Sequence, residues 1–411
     1  MTHRMIQKAL VLMAGTIFLM LPAAAGPREI VMNVDFCDII GAKWSDYKSG
    51  KAKEPGYTEA DIRAMLHRCK LNGCDSVNWR VASLGVCLHP TKHFADIEFI
   101  SKWADEKGFV ELERRRTEDW MCLTDRFRGS YTATKAACSD TLAVAADACR
   151  KEGLKLYFWI DLHDEMLGRF VNEHPECLVR TKDGALYPGV RDYGNEEAVK
   201  ARILELEELY RYKPDGFYFC TSAHTRHCRF DEPDGAFGTL KADAFTAFLR
   251  RVRQSMRPYG FKLIMGTGCA GRLDFCTPYF SENVKYAIQH DWRTWVDEDL
   301  VDGLVCGDYE RMLAMYGGWS AKGVYKMAPG RTAADIFLPE FTRYCKGRVK
   351  LYGFSDWITY KTFEKRLSAA SDMVVGYGLD GLHIHEEMLI DGFKGGWEAV
   401  RTMRRRFDEG K

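Results

Sequence analysis

Acidic and histidine side chains recur at the ends of short apolar runs along this chain. The run nearest the C-terminus ends in "HIHEE", which contains His383, His385, Glu386 and Glu387. Other runs end at or just before Asp35, Asp161, Asp308 and Asp356. Hydrolysis of a glycosidic bond needs two carboxyl groups, one a protonated acid and the other an ionised nucleophile or base. Crowded carboxylates drive their pKa values apart, which would supply both forms near neutral pH.

Aromatic and hydrogen-bonding side chains accompany these carboxylates. Trp and Tyr faces suit the C–H surfaces of sugar rings, and Asn, Arg and His bind hydroxyl groups. The sequence therefore predicts a carbohydrate-binding site lined by Asp35, Asn78, Arg80, Trp159, His163, Tyr218, His385 and Trp357. The predicted catalytic pair is drawn from Asp161, Asp308, Asp356, Glu386 and Glu387. Asp356 and Glu387 are favoured because neighbouring strands would place them at the same rim. Carboxylates at loop starts are also often helix caps or solvated turns.

Alternating strands and helices are predicted to position these residues. From Arg28 onward, a short apolar strand repeatedly precedes a polar loop and an amphipathic helix, as in "REIVMNVDFCD" followed by "TEADIRAMLHRCKLNGCD". Thr58 is a helix-start signal, and "NGC" is a helix-stop signal. Eight such units predict an α/β (β/α)8 TIM barrel with an extended loop after strand two. A doubly wound open sheet is the alternative, but the Gly-rich phosphate turn typical of that fold is missing after strand one.

Side-chain alternation predicts which residues face the barrel interior. In "LKLYFWIDLH", the alternation turns the leucines outward and leaves Tyr157, Trp159, Asp161 and His163 inward. In "GLHIHEE", the same parity leaves His383, His385 and Glu387 inward. Active sites of such barrels lie at the C-terminal ends of the strands, so these residues are predicted to reach the catalytic rim.

The dipeptide Asp-Gly opens three of the predicted strands. It occurs at Asp215, Asp302 and Asp380. Gly tolerates the left-handed turn that joins a helix to a strand. These Asp residues are therefore predicted to lie at the N-terminal face of the barrel, where they would stabilise the fold.

The first 25 residues differ from the rest. Arg4 and Lys8 precede the apolar run "ALVLMAGTIFLMLP", which is followed by the small residues "AAAG". This pattern predicts a signal peptide over residues 1–25, cleaved after Ala25, and one barrel domain over residues 26–411. The mature protein would be periplasmic or extracellular. A membrane anchor is the alternative, but the apolar run is short for a bilayer span, and no membrane contact is expected after cleavage.

Net charge and cysteine content limit the kinds of partner and covalent bond that we expect. The net charge of +1 gives no electrostatic reason to expect nucleic acid as a partner. The 14 cysteines are scattered, which favours buried thiols, although export makes disulfides possible. The closest candidate pairs are Cys69/Cys74, Cys220/Cys228 and Cys269/Cys276. The expected partner is a carbohydrate substrate without a cofactor or metal, and the oligomeric state stays open.

One segment carries a family resemblance. The sequence "HPECLVRTKDGALYPGVRDYGNEEAVKARILELEELYRYKPDGFYF" resembles a recurring segment of secreted bacterial TIM-barrel glycoside hydrolases. There, an Asn- or His-Pro-Glu and a "DG" turn lead to an Asp-rich loop, a helix, and a second "DG" before a strand. The chain is most similar to family-ten-like glycosyl hydrolase-like domains and, more distantly, to melibiase-type barrels. The resemblance is clearest over residues 141–222 and implies glycosidase action on a poly- or oligosaccharide.

This chain differs from the family pattern at the ends of two strands. The resemblance implies an Asp or Glu at the end of strand four, where this chain has "FYFCTS" with Cys220. It implies a strand-seven nucleophile, usually Glu, at the position of Asp356. The sugar, the linkage and the anomeric outcome stay open, and a non-catalytic sugar-binding barrel is the alternative.

Two other chemistries are weaker. The His383-x-His385 pair puts two imidazoles on one strand face, which suits zinc. The other ligands of an amidohydrolase-type barrel are missing from strands one, five and six, and the cluster in "SAHTRHC" follows no standard metal spacing. A Cys220 nucleophile would need an adjacent base that the sequence does not identify.

Overall fold

The computed structural model describes residues 26–35, 57–107, 125–162, 165, 167–180, 184, 186–220, 242–266, 291–306, 333–355, 363–385, 387–392 and 394–410. Eight parallel strands pair in chain order and close into a barrel, which confirms the predicted α/β TIM-barrel fold. The strands are β1 (Glu29–Val34), β2 (Ser76–Arg80), β3 (Lys155–Asp161), β4 (Gly216–Cys220), β5 (Lys262–Gly266), β6 (Gly303–Val305), β7 (Lys350–Ser355) and β8 (Gly381–His385).

Helices surround the barrel. They are α1 (Glu59–Leu71), α2 (Ile97–Lys107), α3 (Asp125–Ala137), α4 (Thr141–Glu152), α5 (Arg169–Glu173), α6 (Glu196–Leu209), α7 (Ala242–Met256), α8 (Trp292–Asp297), α9 (Ala333–Cys345), α10 (Phe363–Tyr377), α11 (Glu387–Gly392) and α12 (Gly396–Asp408). Thr58 caps α1 in a capping box with Asp61, as the sequence signal predicts. No helix in the described ranges is both long and apolar enough to cross a bilayer.

The connection from β2 to β3 is the elaborated one. It contains a hairpin of Ala82–Ser83 and Val86–Cys87, followed by helices α2, α3 and α4. This agrees with the predicted extended loop after strand two. A second hairpin, Leu178–Arg180 with Leu186–Arg191, lies between β3 and α6.

The side chains of the barrel strands divide into two layers. In β3, Leu156, Phe158 and Ile160 pack outward in the main core against the helices. Tyr157 and Trp159 belong to a separate inner cluster with side chains of the other strands. The period-2 pattern of the sequence therefore predicts the correct facing of this strand.

Four aspartates join neighbouring strands by hydrogen bonds at the N-terminal face. Each precedes an even-numbered strand, and its carboxylate accepts the backbone N–H of the second residue of the preceding odd-numbered strand. The four bonds join Asp75 to Ile30 (2.7 Å), Asp215 to Leu156 (2.8 Å), Asp302 to Leu263 (2.9 Å) and Asp380 to Leu351 (2.7 Å). The glycine that follows is needed at Gly216 and Gly381, because an added Cβ would lie 2.2 and 2.3 Å from a neighbouring strand's carbonyl oxygen. The Asp-Gly pairs thus stabilise the fold, as predicted, but the expected left-handed turn is wrong: Gly216, Gly303 and Gly381 do not have a positive φ, and close strand approach explains the glycine at Gly216 and Gly381.

A buried quartet of charges ties the loop after β3 to helix α6. Arg191 pairs with Glu165 (Nε–Oε2 2.6 Å) and with Glu205 (Nη2–Oε1 2.6 Å). Arg202 pairs with Glu205 (Nη1–Oε2 2.8 Å) and with Glu165. All four residues are buried, and their two positive and two negative charges cancel. We call these residues the ion quartet.

His89 is predicted to make the fold sensitive to acid. Its ring is buried between Phe94 (centroids 5.5 Å apart) and Tyr212 (6.2 Å), and burial lowers its pKa from 6.5 to about 3. Below pH 6.5 the His89 ring is protonated in the unfolded chain, whereas in the folded chain it stays neutral down to about pH 3. Stability is therefore full above pH 6.5 and falls towards pH 3, by up to about 1.4 kcal/mol per pH unit for this group. We expect His89→Phe to flatten the fall, measured by urea unfolding at pH 7 and pH 5. An equal fall in both proteins would contradict this.

Candidate functional site

Four charged or titratable side chains converge inside the barrel at the C-terminal ends of adjacent strands. Arg80, Asp161 and His385 are the last residues of β2, β3 and β8, and Asp35 directly follows β1. Arg80 Nη1 donates to Asp35 Oδ1 at 2.5 Å, and Arg80 Nη2 lies 3.4 Å from Asp161 Oδ2. His385 Nε2 lies 3.6 Å from Asp35 Oδ2. We call these four residues the rim cluster.

Strand register explains why the rim cluster forms. Asn33 of β1 pairs with His385 of β8 on one side and with Asn78 of β2 on the other. Asp35 lies two residues after Asn33, and Arg80 lies two residues after Asn78. Both side chains therefore also point inward, one layer closer to the C-terminal ends of the strands. Guanidinium is planar and offers several N–H donors in a fixed fork, so a single Arg80 can bind both carboxylates.

Aromatic rings border the rim cluster. The Arg80 guanidinium lies over the Trp159 ring, 5.0 Å from its centroid. His385 meets the same ring edge-on at 5.6 Å, and Tyr218 lies 6.0 Å away. Within the residues that the structure describes, no acceptor binds the indole N–H of Trp159, although that nitrogen is buried. A buried donor without an acceptor is costly, so this N–H is suited to a hydroxyl group of a bound ligand.

A neutral polar layer lies beneath the rim cluster. Asn78 Nδ2 donates to Asn33 Oδ1 (2.8 Å) and lies 3.0 Å from His383 Nδ1. Burial lowers the pKa of His383 to about 3, which keeps the ring neutral at ordinary pH. Nδ1 then accepts from Asn78, and the ring proton lies on Nε2. His383 is thus a hydrogen-bonded core residue rather than an acid or base of the rim cluster.

An ionic network closes the opposite end of the barrel. Glu29 binds Lys350 (2.6 Å), Lys155 (2.9 Å) and the hydroxyl of Tyr352 (2.7 Å). Burial opposes ionisation of Glu29, but these hydrogen bonds lower its pKa to about 2. Ligand chemistry is accordingly expected at the other end, where the rim cluster lies.

The structure brings together most of the predicted site residues that it describes. Asp35, Arg80, Asp161 and His385 form the rim cluster, with Trp159 and Tyr218 beside it. Asn78 lies one layer deeper and bonds to Asn33 and His383. The predicted residues His163, Asp308, Asp356, Trp357 and Glu386 lie outside the described residues.

Glu387 lies elsewhere, contrary to the parity expectation. Strand β8 ends at His385 and helix α11 begins at Glu387, so strand alternation does not extend to this residue. Its carboxylate accepts a hydrogen bond from Arg68 of helix α1 (Nη2–Oε1 3.1 Å) in the layer between barrel and helices. Burial raises the pKa of Glu387 to about 7. The structure therefore gives it a helix-to-helix ion pair, with no contact to the rim cluster among the described residues.

Sequence reasoning missed two features of the interior. One is that Arg80 binds two carboxylates from different strands; no short-range pattern encodes that. The other is the role of Asn33, for which a signal existed. Alternation in "EIVMNVD" places Glu29, Val31, Asn33 and Asp35 on one face of β1, and the structure shows that face to be the inner one.

Metal-ligating side chains do not cluster in the described part of the chain. No group of three or more His, Cys, Asp and Glu residues there is arranged to hold a metal ion. The "SAHTRHC" segment lies outside the described residues.

Comparisons with known proteins support the fold. No protein-family model matches the chain, and no curated protein matches it. Among solved structures, the chain is similar to the endo-1,4-β-mannanase from Rhizomucor miehei, with a TM-score of 0.55 and 8% identity, over 93% of this chain and 95% of that one. It is also similar to the endo-β-1,4-mannanase from Thermotoga petrophila, with a TM-score of 0.50 and 11% identity, over 93% of this chain and 77% of that one. At such low identity, the likeness concerns the barrel alone.

Proposed function

We propose that this protein hydrolyses glycosidic bonds in a poly- or oligosaccharide. The observation that carries the proposal is the rim cluster, in which Arg80 holds Asp35 and Asp161 together beside the Trp159 ring. Carboxylates beside an aromatic face are what a sugar ring and its reacting carbon require. Export to the periplasm or outside the cell, directed by residues 1–25, belongs to the same proposal.

Asp161 is our candidate for the ionised catalytic carboxylate. The positive charge of Arg80 favours the ionised form of a neighbouring carboxylate, which suits a nucleophile or base and disfavours an acid. The proton donor is then drawn from Asp308, Asp356 and Glu386, which follow β6, β7 and β8 in the sequence. Asp35, bound more closely to Arg80, would position the guanidinium and accept a sugar hydroxyl.

A screen of the signal-free protein tests the proposal. Reducing-end release is measured on neutral polysaccharides, beginning with β-1,4-mannan because two fold neighbours are mannanases, and binding is measured by calorimetry on the same panel. Release above a no-enzyme control on any member would support glycosidase action. If no member of the panel is cleaved or bound, a carbohydrate function is overturned.

Glu387→Gln provides a discriminating variant. Because the structure places Glu387 in an ion pair with Arg68, we expect this variant to release reducing ends at a rate within about threefold of wild type, as a substitution outside the reacting groups should. The measurement is kcat on the best polysaccharide of the panel. A loss of a hundredfold or more in a folded variant would return Glu387 to the catalytic pair.

A non-catalytic sugar-binding barrel is the second candidate function. Cys220 at the end of β4 pairs with Asp161 in register and faces the barrel interior, at a position where many retaining barrels carry an acid. A barrel that lacks that acid would still offer Trp159 and the polar rim to a sugar. Binding without release, across the whole panel, would favour this candidate.

A further inference from the structure

Helix α1 ends in a motif that brings two cysteines together. Gly73 adopts a left-handed conformation (φ +87°), its N–H donates to the Lys70 carbonyl (3.0 Å), and the N–H of Cys74 donates to the Cys69 carbonyl (3.1 Å). These two bonds define a Schellman motif, which frequently brings the side chains at the positions of Cys69 and Cys74 together. Both are free, buried thiols in the structure, and Cys74 is close enough to Cys69 to raise the pKa of its thiol.

The pair lies at a junction of the fold. Both cysteines are buried, and they connect helix α1 to the start of β2. Asp75, the next residue, binds the N–H of Ile30 (2.7 Å) and the guanidinium of Arg404 (2.9 Å). A covalent bond here would fix the end of α1 to the N-terminal face of the barrel.

We propose that Cys69 and Cys74 form a disulfide when the chain folds in an oxidising compartment. Their two thiols lose two protons and two electrons as the Sγ–Sγ bond forms. An external disulfide, such as oxidised glutathione or a disulfide oxidoreductase, takes up both and becomes two thiols. The proposal does not depend on the glycosidase function.

Formation belongs to folding rather than to the finished barrel. The neighbouring Cys74 thiol and burial raise the pKa of the Cys69 thiol well above its usual value. The thiolate is the reactive form, and the folded pair is closed to solvent. Oxidation therefore precedes the docking of α1.

Peptide mapping tests the proposal. The full chain is directed to a bacterial periplasm by a standard leader, denatured, alkylated without reductant and cut with trypsin. Cleavage after Arg68, Lys70 and Arg80 leaves Cys69–Lys70 joined to residues 71–80 only if the disulfide exists. We expect that joined peptide, and we expect reduction to separate it.

Variants identify the partners. Cys149→Ser serves as the control, because Cys149 of α4 is close enough to influence the pKa of Cys69. The joined peptide should persist in this variant and disappear in Cys69→Ser and in Cys74→Ser. Alkylation of both thiols in the periplasmic protein, or a Cys69–Cys149 link, would overturn the proposal. The joined peptide is detected in the wild-type protein itself, so the test remains decisive even if a variant fails to fold.

Discussion

Replacing Asp161 by asparagine should lower kcat by about 10³-fold or more while sugar binding changes only a few-fold. Asparagine keeps the shape of the side chain but cannot act as a base or nucleophile, roles that contribute about 10²- to 10⁴-fold to rate. The contact between Arg80 and Asp35 at 2.5 Å should keep the guanidinium in place. Reducing-end release gives kcat, and calorimetry with the same oligosaccharide gives the affinity.

Asp391→Asn is the matched control for Asp161→Asn. Asp391 is a partly exposed carboxylate that lies 3.4 Å from Arg68 Nε, in the helical layer. Its replacement removes the same charge without touching the rim cluster, so kcat should stay at the wild-type value. If Asp161→Asn matches this control, the catalytic pair lies among Asp308, Asp356 and Glu386. If it loses binding together with turnover, Asp161 binds the sugar rather than reacting with it.

The fold was predictable because its signals are local. The period-2 alternation of "LKLYFWID" gives the facing of β3, since side chains alternate on any strand, whatever surrounds it. The Asp-Gly pairs mark strand starts because a carboxylate can bind a neighbouring strand's N–H, and because glycine permits close approach. Eight repeats of strand and helix leave few topologies apart from a closed barrel.

The candidate site was only partly predictable because its contacts are non-local. Asp35 and Arg80 meet because β1 and β2 pair in one register, a relation that neither segment contains alone. For Glu387, the predicted alternation runs two residues past the end of β8 at His385. Helix α11 begins at Glu387, and a helix directs its side chains with a period of 3.6 instead of 2. The point at which a strand stops depends on its neighbours, so short patterns fix the facing of a strand better than its end.

The two carboxylates at and just after the end of β3 also show how non-local contacts limit prediction from sequence. Glu165 follows Asp161 by four residues, and the sequence places both at the same strand end. In the structure Asp161 joins the rim cluster, whereas Glu165 joins the ion quartet with Arg191 and Arg202. Both carboxylates are buried against arginine, so residue type and burial do not separate a catalytic role from a stabilising one. The difference lies in their place in the fold. Asp161 lies inside the barrel at the strand ends, whereas Glu165 lies against the side of helix α6, where Arg191 also stacks on an aromatic ring, that of Phe170.

Replacing Arg202 by methionine should lower the free energy of unfolding by about 3–5 kcal/mol, because removal of one partner leaves a buried charge uncompensated. In the ion quartet, Glu165 and Glu205 would then share the single guanidinium of Arg191. Methionine preserves much of the aliphatic stem, so the lost charge dominates the effect. Urea unfolding at pH 7 measures the change.

Arg250→Met isolates the effect of burial in that experiment. Arg250 makes a two-point ion pair with Glu298 (2.6 and 2.7 Å), but both side chains are partly exposed. Water replaces a lost surface partner at little cost, so this variant should change the free energy of unfolding by about 1 kcal/mol or less. The two variants delete the same group from pairs of similar length, and only the surroundings differ. Equal effects would mean that water or proton uptake compensates the charge left unpaired in the ion quartet. The inference that the ion quartet stabilises the contact between the loop and helix α6 would then be wrong.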